Sequence, residues 1–146
     1  MNLETFTIEK QIRLEAPIES VFAALTSSEE IPKYFPLKSV DSTWEVGSEV
    51  LYKGEVNGVP FTDFGTIEKL TSPTEYRYRY WSDNHGTERT EENHLTISYT
   101  LEKSNKGTVL TARQSNIKSP EMYELMNDQV WNYLLNSLKE YIEANT

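Results

Sequence analysis

Between residues 5 and 15 apolar and polar side chains take turns along the chain. Phe6, Ile8, Ile12 and Leu14 fall on one face, and Thr5, Thr7, Glu9, Gln11, Arg13 and Glu15 on the other, with Lys10 the one intruder. A period of two marks a half-buried strand. The pattern then changes. In "APIESVFAALTS" Pro17 suits a first helical turn, and Val21, Phe22 and Leu25 share one side of a short helix. Ser28 is placed to cap a second helix running to Phe35, which Pro32 and Pro36 keep brief.

From about residue 42 to residue 117 the spacing returns to two. Gly47-Ser48 turns the chain into a strand over 49–56. Asn57-Gly58 is a hairpin signal, because a type I′ turn needs positive φ at both positions. The return strand covers about 59–70, Ser72-Pro73 makes the next turn, and 75–81 follow. After a polar loop around 83–86 come "NHLTISYTLE", a turn at Asn105-Lys106-Gly107, and "TVLTARQSNI". Strands joined by such short turns form an antiparallel meander. Ser119-Pro120 opens a last helix of about two dozen residues, ~36 Å long at 1.5 Å per residue.

That helix carries two stripes. Trp131, Leu134, Leu135, Leu138 and Ile142 share one side of its second half, whereas Met122, Leu125 and Met126 fall nearly opposite, joined by Tyr133. Either the helix bends, or its first half covers something other than the core. Two methionines there suit a pliable roof over a variable ligand, and ordinary packing with a dimer contact is the alternative. The pattern as a whole predicts one α+β domain over 1–146, in the order strand, two short helices, strands, long helix.

Composition narrows the chemistry. The 146 residues include no cysteine, which removes thiol nucleophiles, disulfides and thiolate zinc sites. The net charge is −9, with 14 basic and 23 acidic side chains, a field that opposes phosphate-backbone binding, so no nucleic-acid partner is expected. Val21–Leu25 is the longest purely apolar run, too short for membrane insertion. The polar, alternating start lacks the pattern of a signal peptide, and a cytoplasmic location is expected.

Within "TEYRYRYW" (74–81), Tyr76, Tyr78 and Tyr80 share one face, and Arg77, Arg79 and Trp81 the other. Alternation therefore separates the aromatic rings from the cations, which weakens a base-stacking surface.

The stretches "IRLEAPIESVFAALTSSEEIPKYF" (12–35), "DSTWEVGSEVLYKG" (41–54), "GTIEKLTSPTEYRYRYW" (65–81), "LTISYTLEKSNKGTVLTARQ" (95–114) and "VWNYLLNSLKEYIE" (130–143) cover nearly the whole chain in order. In them the chain resembles the SRPBCC superfamily of START, birch-pollen-allergen and polyketide-cyclase types. Within it, it is most similar to the bacterial proteins named after the activator of heat-shock-protein-90 ATPase. Two departures are Val130 where many relatives have Gly, and Ser48 in place of the second Gly of a frequent Gly-Gly turn. The resemblance implies a helix-grip fold: a curved antiparallel sheet wrapped around the C-terminal helix, with two short helices at one end. It also implies a cavity between sheet and helix for lipids, flavonoids, polyketides or other apolar molecules. Chaperone activation in the eukaryotic namesake uses a separate N-terminal domain, and such activation is not expected of this domain.

The resemblance turns the tyrosine face inward. Tyr76, Tyr78 and Tyr80, with Tyr52, Phe61, Tyr99 and Gln114, then become the expected cavity lining, roofed by Met122 and Met126. Tyrosine offers an aromatic wall with a hydroxyl that wants a partner, and a buried Gln114 amide needs one too. The phase set by Ile67 also directs Asp63 inward, where desolvation would raise its pKa and fit it for acid–base work. A register slip of one residue would turn it out. No phosphate loop, dinucleotide glycine motif, HExxH or serine elbow is present. His85 and His94 lie among Glu88, Glu91 and Glu92, read as a solvated acidic turn rather than a metal site. The expectation is a binding protein for a small hydrophobic molecule, without metal or cofactor, as a monomer or homodimer. The alternatives are a cofactor-independent cyclase, dehydratase or hydrolase using Asp63, and a protein-interaction module using Arg77, Arg79 and Trp81.

Overall fold

A computed structural model describes residues 5–145. The first four residues, part of the stretch read for a signal peptide, and Thr146 lie outside the described residues. Seven strands form one antiparallel sheet: β1 (Phe6–Leu14), β2 (Leu37–Ser42), β3 (Glu49–Val56), β4 (Val59–Thr71), β5 (Glu75–Ser82), β6 (Leu95–Ser104) and β7 (Gly107–Ile117). Their spatial order is β1-β7-β6-β5-β4-β3-β2. Strands β2 to β7 are neighbours in sequence order, and β1 closes the far edge by pairing with β7. The curved sheet grips the C-terminal helical segment, so the helix-grip arrangement is the one observed. No helix among the described residues is long and apolar enough to cross a membrane.

Turn chemistry sets the meander. Asn57 and Gly58 have φ of 51° and 81°, and the pair Val56↔Val59 closes directly around them, as a type I′ hairpin demands. On the inner face the alternation holds through β5 and β6 and along β7 as far as Gln114, beyond which a bulge in the pairing with β1, with Asn116 at a φ of 67°, shifts the phase and buries Ile117. Tyr76, Tyr78, Tyr80 and Ser82 are buried on β5, Leu95, Ile97, Tyr99 and Leu101 on β6, and Leu110, Ala112 and Gln114 on β7. The outer face of the same strands holds the charges, with Arg77 near Glu68 (3.5 Å) and Glu75 (3.8 Å).

Two segments differ from the sequence reading. Strand β2 is absent from it, because in "LKSVDS" only Leu37 and Val40 are apolar. The segment is an edge strand whose Lys38 and Asp41 face water and pair with Glu55 (3.1 Å) and Lys53 (3.9 Å) of β3. Charged, short edges of this kind discourage pairing with other chains. The second short helix, α2, is confined to Ile31–Tyr34 and follows α1 (Ile18–Leu25) through a turn. Ser28 does not cap it. Its hydroxyl accepts the Trp44 indole N–H at 3.0 Å, while the Ser27 hydroxyl accepts from the Glu30 N–H at 3.3 Å.

The last segment is three pieces: α3 (Pro120–Leu125), a π-helical turn (Met126–Val130) and α4 (Trp131–Ala144). Ser119 caps it, accepting from Met122 N–H at 3.2 Å. The π turn resolves the conflict of phase. In an unbroken α-helix, at roughly 100° per residue, Met126 would sit roughly 140° and Met122 roughly 180° from Trp131. A wide turn absorbs about one residue, which brings the two back to roughly 40° and 80°. The Trp131 N–H bonds the Met126 carbonyl, five residues back. Both halves therefore face the sheet, and the tight stripe of α4 (Trp131, Leu135, Leu138, Ile142) is buried against it.

Gly65 shows how closely the inner face is fitted around the tyrosines. A Cβ there would lie 2.8 Å from Cγ1 of Val50 and 3.2 Å from Cδ2 of Tyr78, both buried. Gly65→Ala is expected to lower stability by about 1–3 kcal/mol through this overpacking. Urea denaturation would read it as a lower midpoint at an unchanged slope.

Candidate functional site

The grip is hollow. Between the inner face of the sheet and the helices lies a cavity of about 720 Å³. Strands supply its floor: Tyr52 from β3, Phe61 and Asp63 from β4, Tyr78 and Tyr80 from β5, and Leu95, Ile97 and Tyr99 from β6. Met122, Leu125, Met126, Val130, Trp131 and Leu134 roof it, and Leu25, Ile31, Tyr34 and Phe35 close one end. Exposed residues at its margin, among them Val56 and Leu125, border an opening.

Two residues expected in the lining stand behind it instead. Tyr76 is fully buried. Its ring stacks on Tyr78 (5.1 Å, 24°) and Tyr99 (6.1 Å, 21°), and meets Trp44 edge-on at 5.7 Å. The loop before β3 carries Trp44 over that end of the sheet, which no alternation rule anticipates. Gln114 is also fully buried, and both ends of its amide are spent. Its Nε2 donates to the Tyr80 hydroxyl at 2.8 Å, and its Oε1 accepts from Trp131 Nε1 at 2.8 Å. The structure thus brings Tyr52, Phe61, Asp63, Tyr78, Tyr80, Tyr99, Met122 and Met126 together around one space, with Tyr76 and Gln114 as its backing.

The hydroxyls divide by partner. Tyr52 and Tyr76 bond each other at 2.8 Å, and Tyr34 donates to the Ala24 carbonyl at 2.9 Å. Tyr78 and Tyr99 make no hydrogen bond within the described residues, yet neither oxygen is shut off from open space. Each belongs to the cavity wall, so the two hydroxyls point into it. Burial raises the pKa of all these phenols, so each stays protonated and is able to donate as well as accept.

Asp63 is half-buried on the same wall, opposite Ser82 in the sheet register. Burial pushes its carboxyl up to about 6, the Ser82 hydroxyl pulling down and the Asp83 charge pushing further up. His85, assigned from the sequence to a solvated turn, meets Tyr80 edge-on at 5.7 Å and lines the cavity. Burial lowers its pKa against the opposing charge of Asp83. The loop turns that way because the Ser82 hydroxyl bonds Asn84 Oδ1 at 2.7 Å and the Trp81 indole bonds the Thr87 hydroxyl at 3.1 Å. No periodic signal announces such contacts. His94 faces elsewhere, its Nδ1 2.6 Å from the Thr90 carbonyl. Among the described residues no group of three or more His, Asp or Glu side chains is placed to hold a metal ion.

The raised pKa of Asp63 makes a signed prediction. A carboxyl whose folded pKa exceeds its unfolded value costs stability once it ionises, so the penalty is absent below about pH 4 and complete above about pH 6. Asp63→Asn is expected to raise the melting temperature at pH 7–8 and to leave it unchanged near pH 3.5. Two pKa units set an upper limit of about 3 kcal/mol for the gain, reduced by the solvent that reaches a half-buried group. Thermal melts of both proteins from pH 3.5 to 8 check it.

The model of the family described as Activator of Hsp90 ATPase homolog 1-like protein matches residues 15–143. Among solved structures the chain is similar to ChR145 from Cytophaga hutchinsonii, at 29% identity over 99% of this chain and 98% of that one, with a TM-score of 0.83. It is also similar to Aha1 from Colwellia psychrerythraea, solved as a dimer, at 22% identity over 94% and 96% of the two chains and a TM-score of 0.76. The structure of Ara h 8.0201 aligns at 14% identity over 97% and 99%, with a TM-score of 0.77. The last two likenesses concern the fold alone. A search of the curated proteins gives no match. The family match spans both short helices, strands β2 to β7 and nearly all of the C-terminal helix, and the chain belongs to the family of activator of Hsp90 ATPase homolog 1-like proteins.

Proposed function

We propose that the protein binds a small, mainly apolar molecule with aromatic character in the cavity between sheet and helix. One observation carries this reading: a space of about 720 Å³ walled by aromatic rings, into which the Tyr78 and Tyr99 hydroxyls point without a protein partner. A solid core of this fold would bond or exclude such groups, because a buried hydroxyl without a partner costs free energy. Apolar walls with a few convergent polar groups are the usual make-up of ligand pockets, and the volume falls in their range. The roof suits the role as well, since two methionines adapt to ligands of differing outline.

A second reading is catalysis without a cofactor. Its support is Asp63, whose pKa of about 6 suits proton transfer near neutrality and whose carboxylate shares the cavity with Tyr80 and His85. A protein-docking role for the outer sheet face has less behind it. There Arg77 is paired with Glu68 and Glu75, and Arg89 lies 4.4 Å over the Phe64 ring, leaving a charged rather than an apolar face.

The test is thermal stabilisation by a broad set of lipophilic compounds and native lipid extracts, paired with native mass spectrometry for retained mass and subunit number. A ligand at a hundred times its Kd adds ~2.7 kcal/mol, which raises the melting temperature by roughly 8 °C for a chain of this length. If no compound moves it and no retained mass is found, the binding reading fails.

A further inference from the structure

We propose that Tyr80 is a fixed hydrogen-bond donor into the cavity, held in that role by Trp131 through Gln114, and that the site therefore selects neutral aromatic molecules presenting a carbonyl-type acceptor oxygen. This rests on the binding reading above and adds a direction to it.

The Trp131 indole sets the order of the bonds. Its N–H can only donate, and it is spent on Gln114 Oε1 at 2.8 Å. That choice orients the whole amide, because the oxygen faces Trp131 and the NH₂ group must face the other way. The other way is Tyr80, whose oxygen lies 2.8 Å from Nε2. An NH₂ group accepts nothing, so the phenol is the acceptor of this bond and its own proton is directed elsewhere. All three side chains are at least nine-tenths buried, with exposures of 2%, 0% and 3% for Trp131, Gln114 and Tyr80. Water therefore has little access to rearrange the chain of bonds.

The Tyr80 proton has no acceptor among the described residues, and Tyr80 forms part of the cavity wall. No hydrogen bond joins it to Asp63, although the Asp63 charge helps to hold the phenol protonated. Tyr78 and Tyr99 are unpartnered at both ends and rotate to donate or accept alike, and in the Tyr52–Tyr76 pair either hydroxyl is able to donate to the other, so the owner of the remaining proton is not fixed. Tyr80 differs in that its partner is an NH₂ group, which only donates, and its role as acceptor in that bond cannot reverse. Asp63 shapes the rest of the selection. Its carboxylate acts on Tyr78 and Tyr80, so an anionic acceptor brought to the same place would meet like charge, whereas a neutral ketone would not. The aromatic preference follows from the floor, where Tyr52, Tyr78 and Tyr99 spread contiguous ring surface over the Tyr76 stack.

Two probes differ at one position: 9-fluorenone and fluorene share one flat three-ring skeleton, and a carbonyl at C9 of the first replaces the methylene of the second. Calorimetric titration of the wild-type protein is expected to show the ketone binding roughly 5–10-fold tighter, the range of one net hydrogen bond. Tyr80→Phe should bring that ratio to about one while leaving fluorene within about twofold. Trp131→Phe should lower the ratio with Tyr80 intact, because the freed amide can turn its oxygen to the phenol and take its proton. Infrared spectroscopy of fluorenone bound to the wild-type protein needs no variant, and its carbonyl band should shift to lower frequency. Equal affinity for both probes, a ratio that survives Tyr80→Phe, or an unshifted carbonyl band overturns the donor assignment and leaves the binding reading standing. If neither probe binds the wild-type protein, the proposed selection for flat aromatic ketones falls, whereas the binding reading falls only if the wider compound set and native mass spectrometry are negative as well.

Discussion

One hydrogen bond marks where the C-terminal helical segment changes its task. Trp131 is the first residue after the π turn, and its indole N–H is anchored to Gln114 on β7. C-terminal to that anchor the helix becomes core, with Leu134 still on the cavity in its first turn and Leu135, Leu138 and Ile142 buried against the sheet. N-terminal to it the helix is a roof, and Met122, Met126 and Val130 look onto open space. A continuous α-helix could not serve both purposes with this sequence, because the two apolar stripes would lie on opposite sides. The wide turn corrects the phase, and the Trp131–Gln114 bond fixes the position at which the correction is made. The far end is held by polar ties of its own: Lys139 donates to the Arg13 carbonyl at 3.0 Å, and Tyr141 to Glu30 at 2.9 Å.

A hollow of this size loses the packing that a filled core would supply, so the frame around it must be stiff by other means. Here the second layer does that work. Tyr76 is stacked between Tyr78 and Tyr99, bonded to Tyr52 and capped by Trp44, so it braces three of the cavity's rings without touching the space they enclose. Trp44 holds a positive φ of 56°, an uncommon conformation for a bulky residue, kept in place by its ring contact and by bonds to Ser42 and Ser28. Gln114 plays the same part at the other end. The lining is thus positioned by residues that do not themselves reach the cavity.

That division explains which features could be read from the sequence. Alternation places a side chain on a face, and it does so correctly along β5 and β6, along β7 as far as Gln114, and for Asp63 on β4. Alternation cannot say how deep on that face a residue sits. Tyr76 and Tyr80 are equivalent by period, yet the loop bearing Trp44 covers one and leaves the other on the cavity. The out-of-phase helix stripes were visible as a conflict, but the sequence did not indicate that a π turn, rather than a bend or a second binding face, reconciles them. Strand β2 escaped because an edge strand with two apolar residues has too little pattern to be seen. His85 escaped because loop geometry rests on particular hydrogen bonds, such as Ser82 to Asn84, and not on periodicity.

Asp63 remains the residue that stability alone does not account for. A carboxyl on an aromatic cavity wall, lifted to about 6 and given only partial relief by Ser82, destabilises the fold at neutral pH, whereas Asn in the same place would not. Its neighbour Asp83 adds repulsion rather than compensation, although Asp83 itself is occupied in holding the Thr62 N–H at 2.9 Å. Beside it stands a phenol whose proton is steered away from its amide partner and toward the same space. One group there offers a negative charge or a proton according to pH, and the other offers only a donor. A bound molecule with a carbonyl near Tyr80 and an acidic proton near Asp63 would satisfy both. The same pair would polarise that carbonyl and receive that proton, which is the arrangement an enolisation requires. On the proposed reading, binding and catalysis would not call on different parts of this protein: both would use one polar end of an otherwise aromatic cavity, and what would separate them is whether a bound molecule sets an acidic C–H or an inert ring against Asp63.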